Sequence, residues 1–291
     1  MASGQDAVNA YLAAMDRADI AAADALRSDG YLETWPVSGE RVRGRAARRA
    51  IDEADPREAP RIRERRRVFG HGEFWLAEYG LDGATGADLD NVVQTLFVDG
   101  GHIHQVTTFV AEPFDAPDWR ADWIVPISRW DEPSAIEPEH GFSMEEGRRF
   151  STQYIAVVVQ RDFAAVESMR HPEWVAEWPQ SGERVPSTSA DKEIHLNYPG
   201  YPKMEIATMS AEAERWAVSP MLTPVRVAGA GSTWVELAQN TYPSGDTYIV
   251  TNVIEISKGK VRRETMYFAT PAQPPAWRAP FVERFEPLGK S

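Results

Sequence analysis

Trp35-Pro36-Val37-Ser38-Gly39-Glu40-Arg41-Val42 returns, one residue changed, as Trp178-Pro179-Gln180-Ser181-Gly182-Glu183-Arg184-Val185. The offset of 143 is about half of the 291-residue chain, and the match runs outward without a gap: Tyr11 pairs with Tyr154, Asp19 with Asp162, Arg27 with Arg170. Further on the offset becomes 158, pairing Gly101 with Gly259, Thr107 with Thr265, and Trp119-Arg120-Ala121 with Trp277-Arg278-Ala279. The 15 additional residues of the second copy (158 minus 143) fall against about residues 51–73 of the first. A period this long exceeds the roughly 20–50 residues of solenoids and propellers, so each copy is expected to be a whole domain.

Both copies read in the same order. Ala7, Tyr11, Leu12 and Met15 recur at helical spacing, as do Tyr154, Ile155 and Val158. Ser143 with Glu146 has capping-box spacing at the start of the second copy's helix. A short second helix, about 19–28 and 162–170, leads into a strand carrying Trp35 or Trp178 and then a Pro-Gly turn. After a variable segment, strands are expected at 74–79, 91–98 and 102–111, and at 233–238, 248–256 and 260–269. Asp99-Gly100-Gly101 and Ser257-Lys258-Gly259 read as hairpin turns. The expected division is a first domain over 1–127, a linker over 128–142 and a second domain over 143–291. Helices followed by a curved antiparallel meander make each an α+β domain, helices closing one side of a bent sheet.

Composition excludes several classes of function. Lys and Arg number 31 against 44 Asp and Glu, a net charge of −13, which argues against nucleic acid or an anionic membrane as partner. The absence of cysteine excludes disulfides and thiolate chemistry. No run approaches the ~18 apolar residues of a membrane span, and the first residues lack a signal-peptide pattern. The expectation is a soluble, cytoplasmic protein.

The helix with Tyr11 or Tyr154, the Trp-Pro-x-Ser-Gly-Glu-Arg-Val turn and the terminal Tyr267-Phe268-Ala269 strand resemble the nuclear transport factor 2 (NTF2) superfamily, and within it the SnoaL-like, polyketide cyclase-like branch. The resemblance covers both copies. It implies two tandem cone-shaped α+β barrels, each with a pocket between the first helix and the concave sheet face. It is specific for fold and weak for activity, since the superfamily holds isomerases, dehydratases, cyclases, epoxide hydrolases and non-enzymes. In its ketosteroid isomerases a helix-borne Tyr is an oxyanion donor, a place matched by Tyr11 and Tyr154. Their carboxylate base is matched here by Trp35 and Trp178, which cannot abstract a proton. Their second oxyanion donor is matched by Gln94 and Asn252.

Strand alternation with that resemblance puts Glu264, Met266 and Phe268 on the concave face, opposite counterparts Val106, Thr108 and Val110. Glu264 is read as the only acid of either concave face. It is the candidate acid or base, with Tyr154 and Asn252 as donors and Trp178, Met266 and Phe268 as ligand walls. In the first copy Tyr11, Trp35, Gln94 and Val106 are the ligand-binding candidates, in a pocket closer to a binding module. Glu40-Arg41 and Glu183-Arg184 read as turn locks. Arg61, Arg63, Arg65 and Arg67 alternate on a strand and read as a solvated or salt-bridged face. His102 and His104 have Lys260 and Arg262 as counterparts, which argues against a metal, and His140, His171 and His195 stand isolated.

The function expected is a cofactor-independent cyclase, isomerase, dehydratase or epoxide-opening enzyme acting on a small apolar, polyketide-like molecule. The alternative is a non-catalytic binding or scaffold protein. The convex faces, with Thr107, Phe109, Thr265 and Tyr267, are expected to pack together as an intramolecular pseudo-dimer in a monomeric chain, with further homodimerisation left open.

Overall fold

The computed structural model describes residues 4–55, 62–82, 88–136, 142–199, 222–241 and 246–285. In chain order the elements are α1 (Gly4–Asp16), α2 (Ile20–Ala25), β1 (Arg27–Trp35), β2 (Glu40–Arg43), α3 (Arg45–Ala54), β3 (Ile62–His71), β4 (Phe74–Asp82), β5 (Leu89–Asp99) and β6 (His102–Ala111). A 3-10 turn (Asp118–Trp123) and β7 (Val125–Pro126) follow. Then come α4 (Met144–Val159), α5 (Phe163–Met169), β8 (Arg170–Trp178), β9 (Glu183–Val185), α6 (Thr188–Leu196), β10 (Leu222–Ala230), β11 (Thr233–Thr241), β12 (Thr247–Ser257) and β13 (Lys260–Ala269). A second 3-10 turn (Ala276–Phe281) and β14 (Glu283–Arg284) close the series. Among the described residues no helix is long and apolar enough to cross a membrane.

The chain forms two compact units, one of Met1–Pro113 with Thr270–Ser291, the other of Phe114–Ala269. Among the described residues each is α+β, with three α-helices and a seven-stranded sheet. The strand order is β14-β2-β1-β6-β5-β4-β3 in unit 1 and β7-β9-β8-β13-β12-β11-β10 in unit 2. The two orders correspond strand for strand. In each, one parallel pair (β1 with β6, β8 with β13) joins the long antiparallel meander to the turn-bearing strand.

This division differs from the one expected at 127 and 143. The segment after Pro113 belongs to unit 2, and the segment after Ala269 returns to unit 1. The duplicated motif explains why. In unit 2 the Phe114 amide donates to the Gln180 carbonyl at 3.3 Å, the Ile127 amide to that of Gly182 at 2.8 Å, and β7 pairs with β9. In unit 1 the Ala272 amide donates to Val37 at 2.9 Å, the Phe285 amide to Gly39 at 3.0 Å, and β14 pairs with β2. The buried Glu183 accepts from Ser181 and from Arg120 Nε (2.8 Å). The buried Glu40 accepts from Ser38 Oγ (2.5 Å) and Arg278 Nη2 (2.5 Å). The Ser-Gly-Glu turn is thus a socket for the Trp-Arg-Ala tail, and each socket holds the tail that follows the other copy.

Two local elements depart from the sequence reading. The second helix ends at Ala25 rather than near residue 28, because Arg27 already opens β1 and sends its guanidinium into the core. The variable segment after each Ser-Gly-Glu turn begins with a further helix, α3 or α6. Ser187 caps α6 by accepting from the Ala190 amide at 3.2 Å. Of the arginine strip, Arg61 lies outside the described residues, as does His140. Arg63 pairs with Asp82 at 2.7 Å, and Arg66 and Arg67 meet the buried Glu78 at 3.0 and 2.6 Å, so this face is salt-bridged.

Candidate functional site

Unit 2 encloses a cavity of about 180 Å³ between α4, α6 and the concave face of β8, β11, β12 and β13. Glu264, Tyr154, Asn252, Trp178, Met266 and Phe268 all line it. Arg120 of the captured tail lies over the Trp178 ring, its guanidinium carbon 4.3 Å from the centroid, and Trp119 completes that wall.

Glu264 is 2% exposed and accepts from four side chains. Its Oε1 accepts from Tyr154, from Arg170 Nη2 (3.1 Å) and from Trp174 Nε1 (3.0 Å); its Oε2 accepts from Asn252 Nδ2 at 2.9 Å. Arg170 also donates through Nε to the Tyr154 hydroxyl at 2.7 Å and through Nη1 to Asp191 at 2.6 Å. Arg170 rather than Arg262 is therefore the acid's ion-pair partner, since Arg262 is spent on Glu173 at 3.0 Å.

Glu264 is not the only acid on the concave face, as sequence reading had it. Glu236 of β11, buried, is the register partner of Asn252; it lines the cavity, and its Oε1 has no partner. Burial in first place, and then the Glu264 charge, push the Glu236 carboxyl up to about 8, so it is protonated at neutral pH. The Asn252 and Asn240 side-chain oxygens are likewise unpartnered at the cavity wall. The signal available in sequence was parity: Glu236 lies two residues after Trp234, in a strand whose concave positions alternate.

α6 adds a second titratable pair. His195 Nδ1 meets the Asp191 carbonyl at 2.8 Å and the Asp191 carboxylate at 3.4 Å, and both residues line the cavity. Burial works against the imidazolium, but the Asp191 carboxylate outweighs it and raises the His195 pKa above 6.5. The same partners, His195 first and Arg170 next, overcome burial and hold Asp191 well below the usual carboxylate range. The i,i+4 spacing of Asp191 and His195 carried this signal once the segment is seen as helical.

Unit 1 has a cavity of about 200 Å³ in the corresponding place. Trp35 and Gln94 line it, but Tyr11 and Val106 do not. Both are fully buried, and the Tyr11 hydroxyl accepts from Arg27 at 3.2 Å. Val110 is 36% exposed and away from the wall, where Thr108 stands instead. This cavity also holds a carboxylate, Glu33 of β1. It accepts from Tyr31 (2.9 Å), Trp35 (2.8 Å), Arg48 (2.6 Å) and Thr108 (2.8 Å). Arg48 and Thr108 contacts hold its pKa down against burial. Glu33 shares strand parity with Trp35, which was the overlooked signal. Among the described residues of the chain no group of three or more His, Asp and Glu side chains is placed to hold a metal.

No protein-family model and no curated protein matches the sequence. Solved structures are similar to parts of it. An NTF2-like protein of unknown function from Burkholderia xenovorans LB400 is 29% identical, with a TM-score of 0.40, covering 43% of this chain and 95% of its own. A protein from Pseudomonas putida KT2440, provisionally described as a polyketide cyclase, is 23% identical with a TM-score of 0.33, covering 41% of this chain and 96% of its own. One from Kribbella flavida DSM 17836, provisionally described as a ketosteroid isomerase, is 17% identical with a TM-score of 0.38, over 45% of this chain and 95% of its own.

Proposed function

We propose that unit 2 is an acid–base enzyme for a small, largely apolar, oxygen-bearing substrate, of the cyclase, isomerase, dehydratase or epoxide-opening kind. The observation that carries this reading is Glu236: a carboxyl buried in a cavity wall with one oxygen unpartnered, where burial and the Glu264 charge favour its protonated form. Such a group donates a proton to a carbonyl or ether oxygen that water does not reach. Its conjugate base forms beside the Glu264 charge, which favours rapid return of the proton. Glu264 then acts as a fixed charge, held by four donors, rather than as the group that exchanges protons. His195 is the complementary acceptor. With Nδ1 turned to the Asp191 carbonyl, Nε2 is the nitrogen left to receive a proton, and the Asp191 carboxylate stabilises the imidazolium.

Proton exchange can be read before any product is known. Cyclic and polycyclic ketones are incubated in deuterated buffer, and loss of the hydrogens α to the carbonyl is followed by NMR. The expected result is protein-dependent exchange that Glu236→Gln lowers by about 10²–10⁴-fold, with the circular dichroism spectrum unchanged. Exchange at the wild-type rate in Glu236→Gln sinks the assignment.

A further inference from the structure

The unit 1 cavity differs from that of unit 2 in which polar atoms it leaves open. The Trp75 and Trp234 indoles fix the comparison: each donates to a glycine carbonyl three residues back, Gly72 at 2.9 Å and Gly231 at 3.0 Å. In unit 1 Ala77 is the register partner of Gln94, where unit 2 pairs Glu236 with Asn252. Two residues on, Tyr79 stands where unit 2 has Ala238. The first unit has therefore lost the exchangeable acid and gained a phenol.

That phenol has no partner. Tyr79 is 1% exposed and Gln94 2% exposed; both line the cavity, and the Tyr79 hydroxyl and Gln94 Oε1 are both unsatisfied. Gln94 Nε2 is committed to Thr108 Oγ1 at 2.9 Å, which leaves its buried Oε1 without a partner beside the cavity. Buried donors and acceptors left open are costly, so a native site that keeps two on neighbouring strands of one cavity wall has a use for them. Four charged groups of the same wall are engaged with one another, with Arg27 Nε left open. Arg27 pairs with Asp52 at 2.8 Å, Arg48 with Glu33 at 2.6 Å and also with Asp52. An ionic ligand finds no counter-charge that is not already engaged among these four.

We propose that unit 1 is a binding site, without turnover, for a neutral alcohol or phenol, whose hydroxyl accepts from the Tyr79 hydroxyl and donates to Gln94 Oε1. One hydroxyl group satisfies both open atoms at once. The ring or chain behind it lies among Met15, Ile20, Leu81 and Trp277, the last supplied by the captured tail. Burial raises the Tyr79 pKa well above 10, with neighbouring Tyr11 and Glu33 adding to it, which keeps the hydroxyl a donor at every working pH. This site stands independently of any proton transfer in unit 2.

The test is calorimetric titration of the full chain with 2-naphthol, naphthalene-2-carboxylate and naphthalene at neutral pH. The expected order is 2-naphthol above the other two by about tenfold or more. Tyr79→Phe and Gln94→Leu should each abolish that preference, whereas Arg63→Ala on the exposed side of β3 should leave it intact. Tyr79→Phe also removes an unsatisfied hydroxyl and should not lower the melting temperature, which separates lost recognition from lost folding. Equal binding of 2-naphthol and naphthalene, or a preference that survives Tyr79→Phe, overturns the proposal; the open atoms then serve a buried water only.

Discussion

Glu264 and Ala176 are register partners across the parallel β13–β8 pair, and in unit 1 the partners at that place are Val106 and Glu33. The same junction carries one carboxylate in each unit, on opposite strands. What chooses the strand is the cation it meets. Glu33 meets Arg48 of α3, whereas the residue 143 positions later is Asp191. Glu264→Val should destabilise unit 2 by up to about 3–5 kcal/mol, since it removes one of the two acids neutralising the buried Arg170. Adding Ala176→Glu should not restore stability, because the new acid meets Asp191 rather than an arginine. Urea titration of both variants checks this, and recovery in the double variant contradicts it.

Stability should carry the mark of Glu236. Its folded pKa of about 8 lies above its ordinary 4.5, so between those values the native state holds a proton that the unfolded state has released. That contribution is fully present below about 4.5 and is lost as pH rises through 8, with a slope approaching −1.4 kcal/mol per pH unit. Glu236→Gln should therefore match the wild type near pH 4.5 and exceed it in stability at pH 8. Paired urea titrations across that range measure the difference, and a pH-independent offset speaks against the assignment.

His195 should titrate above 6.5 when followed by its ring proton resonances, because the Asp191 carboxylate favours the imidazolium. Its folded-state preference for the proton stabilises the protein below 6.5 and fades as pH rises through the folded value. Asp191→Asn should bring the His195 pKa down by a measurable amount. An unchanged titration in that variant means that Asp191 does not govern the imidazole.

Gly147 of α4 lies against the Trp234 ring, where a Cβ would come within 2.2 Å of the indole, and Gly4 of α1 meets Trp75 at the same 2.2 Å. Neither space has room for a methyl group. Gly147→Ala should cost about 1–3 kcal/mol by overpacking, despite the better helix propensity of alanine. Tryptophan fluorescence through a thermal melt reports both effects.

Much of the fold was legible because the duplicated segment could be compared with itself. The two hairpins and the first helices follow from strand and helix periodicity, whereas the pocket positions of Trp178, Met266, Phe268, Trp35 and Gln94 were what the family resemblance implied. Tyr11 and Val106 were misplaced because periodicity assigns a face, not a depth, and both lie behind the cavity wall under other side chains. Glu236 and Glu33 were missed because attention to a single final strand left the neighbouring strands' parity unused. Asp191 and His195 sat in a segment whose helical pairs were read as a variable loop.

The exchange of tails is the feature sequence could not reveal, because two near-identical sockets give no hint which one a Trp-Arg-Ala segment occupies. It also sets an order of events during synthesis. When the ribosome has made residue 113, unit 1 has its helices and meander but an empty socket at Glu40. Its missing strand, β14, emerges only some 170 residues later, about 9–34 seconds at ordinary elongation rates. Unit 2, by contrast, receives its tail before its own first helix exists. The first half made is thus the last to be finished, and throughout that interval Glu40 waits without the arginine that neutralises it.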